Sequence, residues 1–559
     1  MKTLTFLLGA GSLAAAAAVA MAQTTSPPPP PFGPTVTPGR TIQTADMTNP
    51  NPLIPGDIYR NGNVAHQDLA TFAWLEFISA VSPNAPGARG VPGGSFASTG
   101  TSSTPPLVWE TYQHRTELLP CNVSGGNATP RPPQPWGAPP TYVTTVSPPT
   151  PTPTPPPPQM CSTITVPGGN PFNNLDEANQ IGQNILLFPT VPGKPNPATD
   201  PQVLFEAKAN QYESNYVAQN YKTLIPQFPK FHFSPGITLP NTTVEVKAAW
   251  RPLSSIPANQ QYRYHIANVI TYGGTDTNPV PKVVPYALIA LHIIHKTPNY
   301  PAFIFATFEQ VDDFKNQTTG AATGVYYVPA YNSVSYALPP TTTFPPSGQT
   351  VNNPNINFST TSPKAYPYGT NGVSLPLGAV TSIPGSKVVN GVVTVPVTSP
   401  VPTVPEVAAV NSQALAAMQK IPGFGKNFVW QYYKLTGVQA IPTNDETTRD
   451  FYLANIVVES SQPGIQLFRG FPPIAGGVLA NQRNQTNVIQ YQNGASTLAP
   501  TFTSSGGCQG CHGVAQTQNG FDFSFLFFGA AGGGFSPEPK GVPSPPVAQA
   551  RLVQKKYLQ

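Results

Sequence analysis

Charge is what this 559-residue sequence has least of: Asp, Glu, Lys and Arg together make 9% of it, against roughly a quarter in an ordinary soluble domain. The net charge of +5 forms no basic stripe and accompanies no nucleic-acid motif, which excludes a nucleic-acid partner. After the first twenty or so residues no stretch approaches the roughly 20 apolar residues needed to cross a bilayer, so the mature chain is not expected to span a membrane. No G-x-G-x-x-G dinucleotide fingerprint occurs. Cysteine is scarce, at four residues, whereas proline numbers 73 and glycine 47. That bias points to long irregular connections. Hydrophobic residues at 39% and aromatics at 10% are still enough to bury a large core.

The four cysteines divide into two pairs. Cys508-Gln-Gly-Cys511-His512 has the spacing of a c-type haem attachment site. Both thiols must reach vinyl groups on a flat macrocycle to form thioethers, and the adjacent His512 supplies the proximal imidazole to iron. A zinc site would need four ligands, and no second Cys pair at this spacing exists. A disulfide is the other alternative. The motif predicts one covalent haem c held by Cys508, Cys511 and His512. The second pair, Cys121 and Cys161, reads as a disulfide in an oxidising compartment, with two free thiols as the alternative. Closing a loop of about 40 residues adds roughly 3–4 kcal/mol in the chain-entropy model.

The N-terminus has a basic start, an apolar run from Leu4 to Ala20 and a small-x-small site at Ala20-Met21-Ala22. This pattern predicts a signal peptide over 1–22, cleaved after Ala22, and export to the periplasm, the medium or the cell surface. Residues 23–55 read as a Pro-rich solvated linker. Residues 56–475 read as a strand-rich α+β scaffold with Pro-rich irregular loops at about 121–161 and 315–405. Residues 476–559 read as a haem c-binding segment integrated into that body.

Within the scaffold, His66 to Ser79 has helical spacing. Val108 to Glu117 reads as a second short helix, Glu206 to Tyr221 as a third and Val404 to Met418 as a fourth. Val244 to Trp250 alternates like a strand. The apolar runs Val283–His295 and Ala302–Glu309, split by Thr297-Pro298-Asn299-Tyr300-Pro301, predict neighbouring buried strands. Asn427 to Leu435 reads as a further strand, and Tyr452 to Glu459 as a short element of either kind.

The sequence resembles a family of large, single-haem bacterial proteins labelled "cytochrome c family protein". The resemblance rests on pieces in the same order: Phe72-Ala73-Trp74 with Phe77; Trp109-Glu110-Thr111-Tyr112; Glu245-Val246-Lys247-Ala248-Ala249-Trp250-Arg251; Leu291-His292-Ile293 with Lys296-Thr297; Ala306-Thr307-Phe308-Glu309; Ala454-Asn455; and Cys508 to His512 with Asp522-Phe523-Ser524-Phe525. It implies haem c and export, and no particular reaction.

Only 47 residues (559 minus 512) follow His512, and they contain neither Met nor His. A sixth iron ligand of either type must come from upstream. The candidates are Met47, Met160, Met418, His66, His114, His232, His265, His292 and His295. His292 and His295 lie in the most apolar run, where an imidazole is costly unless its nitrogens are satisfied. Each is either a hydrogen-bonded core histidine or an iron ligand. On a strand they point to opposite faces, so at most one can serve, with His292 preferred and His295 the alternative. Phe521, Phe523, Phe525 and Phe527 would share one face of a strand, as a wall on the porphyrin or as ordinary core.

Three function classes remain. One-electron transfer needs a covalent haem and no substrate pocket, and its partner is a redox protein or a membrane respiratory component. A peroxidase- or oxygenase-like oxidoreductase needs an open sixth site and a distal acid–base group, for which His114, Arg115, Glu309 and His295 are available. A surface or assembly protein displaying a haem is the third. The reading leans to electron transfer rather than to an enzyme.

Overall fold

The structure is a computed structural model that describes residues 28–60, 65–99, 105–120, 132–146, 160–177, 184–187, 201, 203–224, 238–275, 278–301, 303–311, 326–329, 387–389, 392–396, 405–440, 522, 524 and 526. It is a mixed, strand-rich α+β protein built on one large antiparallel sheet. The spine is β9 (Asn278–His295), the long apolar run of the sequence. Its first half pairs with β8 (Ile266–Thr275) and its second half with β7 (Val244–Pro252) and β10 (Ile304–Gln310). Beyond β7 lie β6 (Leu204–Ala209) and β1 (Gln113–His114); beyond β10 lies β14 (Tyr433–Gln439). The two-residue β4 (Asn173–Asn174) adds to β8 in parallel. The strands read at Val244–Trp250, Val283–His295 and Ala302–Glu309 are thus present and adjacent.

One face of the sheet is covered by α2 (His66–Ala80) and α5 (Pro405–Met418), as their spacing anticipates. Twelve side chains of α2 are buried, so it is a core helix rather than an amphipathic surface one. Phe77 stacks on Phe308 at 4.1 Å, and Trp74 meets Phe308 edge-on at 5.0 Å. Trp74 Nε1 donates to Asn411 Oδ1 at 2.9 Å, joining the two helices. The same Asn411 binds both the N–H and the C=O of Leu435. Leu435 lies where the β10–β14 register shifts, and a bulge leaves backbone groups without ladder partners. Asn411 supplies them.

Residues 23–55 correct the reading of a solvated linker. In the described part, Val36, Ile42, Met47 and Ile54 join the core over the α2 face. Gly33 and Val36 N–H groups donate to Ile54 and Asp57 carbonyls at 2.7 and 2.9 Å, and Thr44–Thr48 forms a short helix, α1. Extended proline-rich chain still carries apolar side chains. Here they are spaced widely enough to escape a periodicity test and close enough to cover a helix layer.

Three other boundaries differ. Val108 to Glu117 splits into a 3-10 turn (Trp109–Thr111), β1 and the single-turn α3 (Arg115–Leu118). Glu206 to Tyr221 is strand β6 followed by helix α4 (Gln211–Leu224), with Asn210 Oδ1 accepting the Glu213 N–H at the turn. Asn427 to Leu435 holds a 3-10 turn (Val429–Tyr432) before β14 begins. The Pro-rich stretch 121–161 contributes to the core after all: Trp136 and Tyr142 are buried, and β2 (Tyr142–Val146) pairs with β3 (Met160–Ile164). From 315–405, β11 (Tyr326–Pro329), β12 (Lys387–Val389) and β13 (Val392–Pro396) form a four-stranded sheet with β5 (Asn184–Leu187). Among the described residues no helix is long and apolar enough to cross a membrane.

Candidate functional site

The two faces of β9 separate His292 from His295. Leu291, Ile293 and His295 point to the α2 layer, while His292 and Ile294 point to the other side. That second face is capped by α4, Leu239, Phe303 and Leu526. It is unusually polar for a buried surface. Cross-strand register aligns Lys247, His292 and Thr307 in one row over β7, β9 and β10. Glu245, Ile294 and Phe305 make the next row, and Ala249, Ala290 and Glu309 the row on the other side. Every one of these side chains is buried. Charged residues inside a fold are rare unless partnered, so a row of them marks a place where something besides packing is organised.

His292 Nδ1 lies 2.5 Å from Thr307 Oγ1. The hydroxyl fixes the ring's orientation and engages one of its two nitrogens. Phe305 packs against the imidazole with ring centres 5.9 Å apart. On the opposite face, His295 Nδ1 lies 2.5 Å from Glu76 Oε1, and its ring rests against Phe32 and Phe72. Burial holds the Glu76 carboxyl above its ordinary range, against the opposing hydrogen bond and charge of His295. The two histidines have the same surroundings in sequence and different partners in space.

Three described residues of the C-terminal segment pack on this face. Asp522 Oδ2 accepts from Lys296 Nζ at 2.7 Å and from the Leu239 N–H at 2.6 Å. Ser524 hydrogen-bonds Glu245, and Leu526 is buried among Ile294, Phe305 and Val217. Lys296 also donates to the Leu239 carbonyl at 2.8 Å. Burial raises the Asp522 carboxyl, and Lys296 opposes it. Burial also pushes Glu245 up to about 7, against hydrogen bonding from Ser524 and the charge of Lys247. Glu213 of α4 is driven well above the carboxylate range by burial and by the charges of Glu245 and Asp522.

The other upstream candidates have structural partners. His265 Nε2 is 3.0 Å from Glu110 Oε1, and His114 is 3.1 Å from Asp176, which also pairs with Arg115. Charge from Arg115 and His114 outweighs burial and draws Asp176 down to about 2. Lys208 ties the same region together through the Glu110 carbonyl, Asn173 and Glu206. Met47 and Met418 are core residues. Met160 belongs to β3, where it pairs with Val146 of β2.

Several expectations fall outside the described residues: the haem motif Cys508, Cys511 and His512; the signal region 1–22; Cys121; His232; Tyr452–Glu459; and the phenylalanines at 521, 523, 525 and 527. Cys161 sits on β3 opposite Thr145, and the Cys121–Cys161 pairing itself lies outside the described residues. What sequence reading does not find is the meeting of Glu213, Glu245, Lys296 and Asp522. A usable signal was present at Glu245 and Lys247, two charges on one face of the otherwise apolar stretch Val244–Trp250. Among the described residues no group of three or more His, Cys, Asp or Glu forms a cage for a metal ion. Comparison of the chain with models of known families, with curated proteins and with solved structures finds no match.

Proposed function

We propose that the protein is an exported monohaem c-type cytochrome that carries one electron at a time. The observation that supports it best is where the C-terminal segment docks. Asp522, ten residues after His512 (522 minus 512), is fixed to Lys296, at the end of the strand that carries His292. Ten peptide units reach at most about 35 Å, and His292 is about 13 Å along the strand from Lys296. The chain therefore permits Cys508 and Cys511 to hold the macrocycle near the His292 face, with the haem segment part of the main body rather than a detachable module.

The bound haem would supply a one-electron couple. The residues of this chain hold and tune it. His512 gives the proximal imidazole. His292 fits the sixth position because it lies on the face to which Asp522, Ser524 and Leu526 dock and its Nδ1 is held by Thr307 Oγ1; ligating histidines are ordinarily fixed by such a second hydrogen bond. His295, the alternative, is held by Glu76 in the same manner, but it lies on the α2 face of the sheet, away from the residues of the C-terminal segment. The buried setting of His292 keeps water from the site and favours rapid, low-reorganisation transfer. The partner is a redox protein or a membrane respiratory component, met in the periplasm or at the cell surface.

The test is the protein expressed with export and haem-attachment machinery. Intact mass should show one covalent haem, lost when Cys508 and Cys511 are changed to Ala, and the ferric spectrum should be low-spin and indifferent to cyanide. Absence of covalent haem overturns the reading. A high-spin spectrum that shifts with cyanide replaces it with an oxidoreductase having an open sixth site.

A further inference from the structure

Glu213 projects from α4 and Glu245 from β7, and their carboxyl groups act directly on each other. They are 0% and 3% exposed. Neither oxygen of Glu213, nor Oε1 of Glu245, receives a hydrogen bond from a described donor. Carboxylates accept and cannot donate. Two buried carboxylates that act on each other without donors cannot both stay charged, so the pair holds a proton.

The surrounding groups do not remove this requirement. Lys296 is committed to Asp522 and to the Leu239 carbonyl. Lys247 flanks Glu245 on β7, and His292 lies across from Lys247. Tyr216 on α4 adds no positive charge, and its hydroxyl accepts the Thr238 N–H at 2.9 Å. Asp522 adds a third carboxylate, whose charge acts on both Glu213 and Glu245. Of the three, only Asp522 belongs to a segment remote in sequence, and that segment also supplies Ser524 to Glu245.

We propose that Glu213 and Glu245 form a one-proton latch for the C-terminal segment: Asp522, Ser524 and Leu526 stay docked while the pair keeps its shared proton, and leave the sheet when the pair ionises. The proton goes to solvent, and separation of Asp522 relieves the repulsion. The raised affinities of both glutamates for protons place the transition at and above neutral pH. The latch does not rest on the haem reading, because it concerns only groups on the protein itself.

Hydrogen–deuterium exchange of the Asp522–Leu526 peptide in the full-length chain tests it. Wild type is compared with Glu213→Gln at the same pH, so intrinsic exchange chemistry cancels. At about pH 9 the segment should exchange at least about ten-fold more slowly in the variant, and at about pH 5 the two should agree within about two-fold. Glu245→Gln provides a second arm, since one neutral member is enough. Slower exchange at about pH 9 in either amide variant supports the latch. Equal or faster exchange in both overturns it, whatever the haem content of the preparation.

Discussion

The ammonium of Lys296 sits 2.7 Å from the carboxylate of Asp522 across 226 residues of chain, with side-chain exposures of 5% and 1%. Removing one member of such a buried pair strands the other. Lys296→Met should cost about 3–5 kcal/mol of stability. Adding Asp522→Asn should return most of that loss, which urea denaturation of the single and double variants would measure. An additive double variant would show that the pair does not fix the C-terminal segment.

The two β9 histidines should separate cleanly on substitution. His292→Ala should convert a low-spin ferric spectrum to a high-spin one. His295→Ala should leave the spectrum as it is while lowering stability by about 3–5 kcal/mol, because it leaves the Glu76 carboxyl buried without its partner. The reverse pattern would move the iron ligand to the α2 side of the sheet.

Thr307→Val keeps the shape of the side chain and removes the hydroxyl beside His292 Nδ1. Loss of such a supporting hydrogen bond typically weakens ligation by about 10–100-fold. The variant should bind added imidazole or cyanide more readily by a factor in that range, as followed by absorbance.

Glu245 sets a pH dependence of known sign. Its folded proton affinity, about 7, exceeds the ordinary value of 4.5, so the native state holds a proton that the unfolded chain gives up. Stability from this group is full below about pH 4.5 and falls as pH rises toward about 7. The loss is on the order of 3 kcal/mol. Urea midpoints measured across that range should decline in wild type and flatten in Glu245→Gln.

Thiol titration addresses Cys121 and Cys161. The denatured, unreduced protein should expose neither thiol, and reduction should lower stability by roughly 3–4 kcal/mol in the chain-entropy view. Two reactive thiols at these positions would remove the cross-link.

The central strands were legible because β9 and β10 are dense apolar runs bounded by Thr297-Pro298 and Pro301. Helices α2 and α5 were legible from spacing and from the prolines near their ends. The segment around Met47 was not, since its composition resembles solvated chain and its burial depends on a helix layer formed elsewhere. Val108 to Glu117 is not the single helix its composition suggests, because one short stretch changes from turn to strand to helix, each shorter than a detectable period. The opposed faces of His292 and His295 followed from strand geometry alone. The partners that distinguish them, Thr307 and Glu76, did not: Glu76 lies 219 residues from His295, and only the closed sheet brings it there.

Because β9 is paired on both sides along its second half, it works as a partition whose reading frame assigns each imidazole to a compartment. An insertion or deletion of one residue between Ala287 and Leu291 would turn the following stretch over. His292 would then face the aromatic helix layer, and the charged row would lose its only imidazole among the described strand residues. Substitutions at these positions are graded in effect, whereas a one-residue length change is all-or-none. Length, more than side-chain identity, is therefore the property of this strand that the protein can least vary.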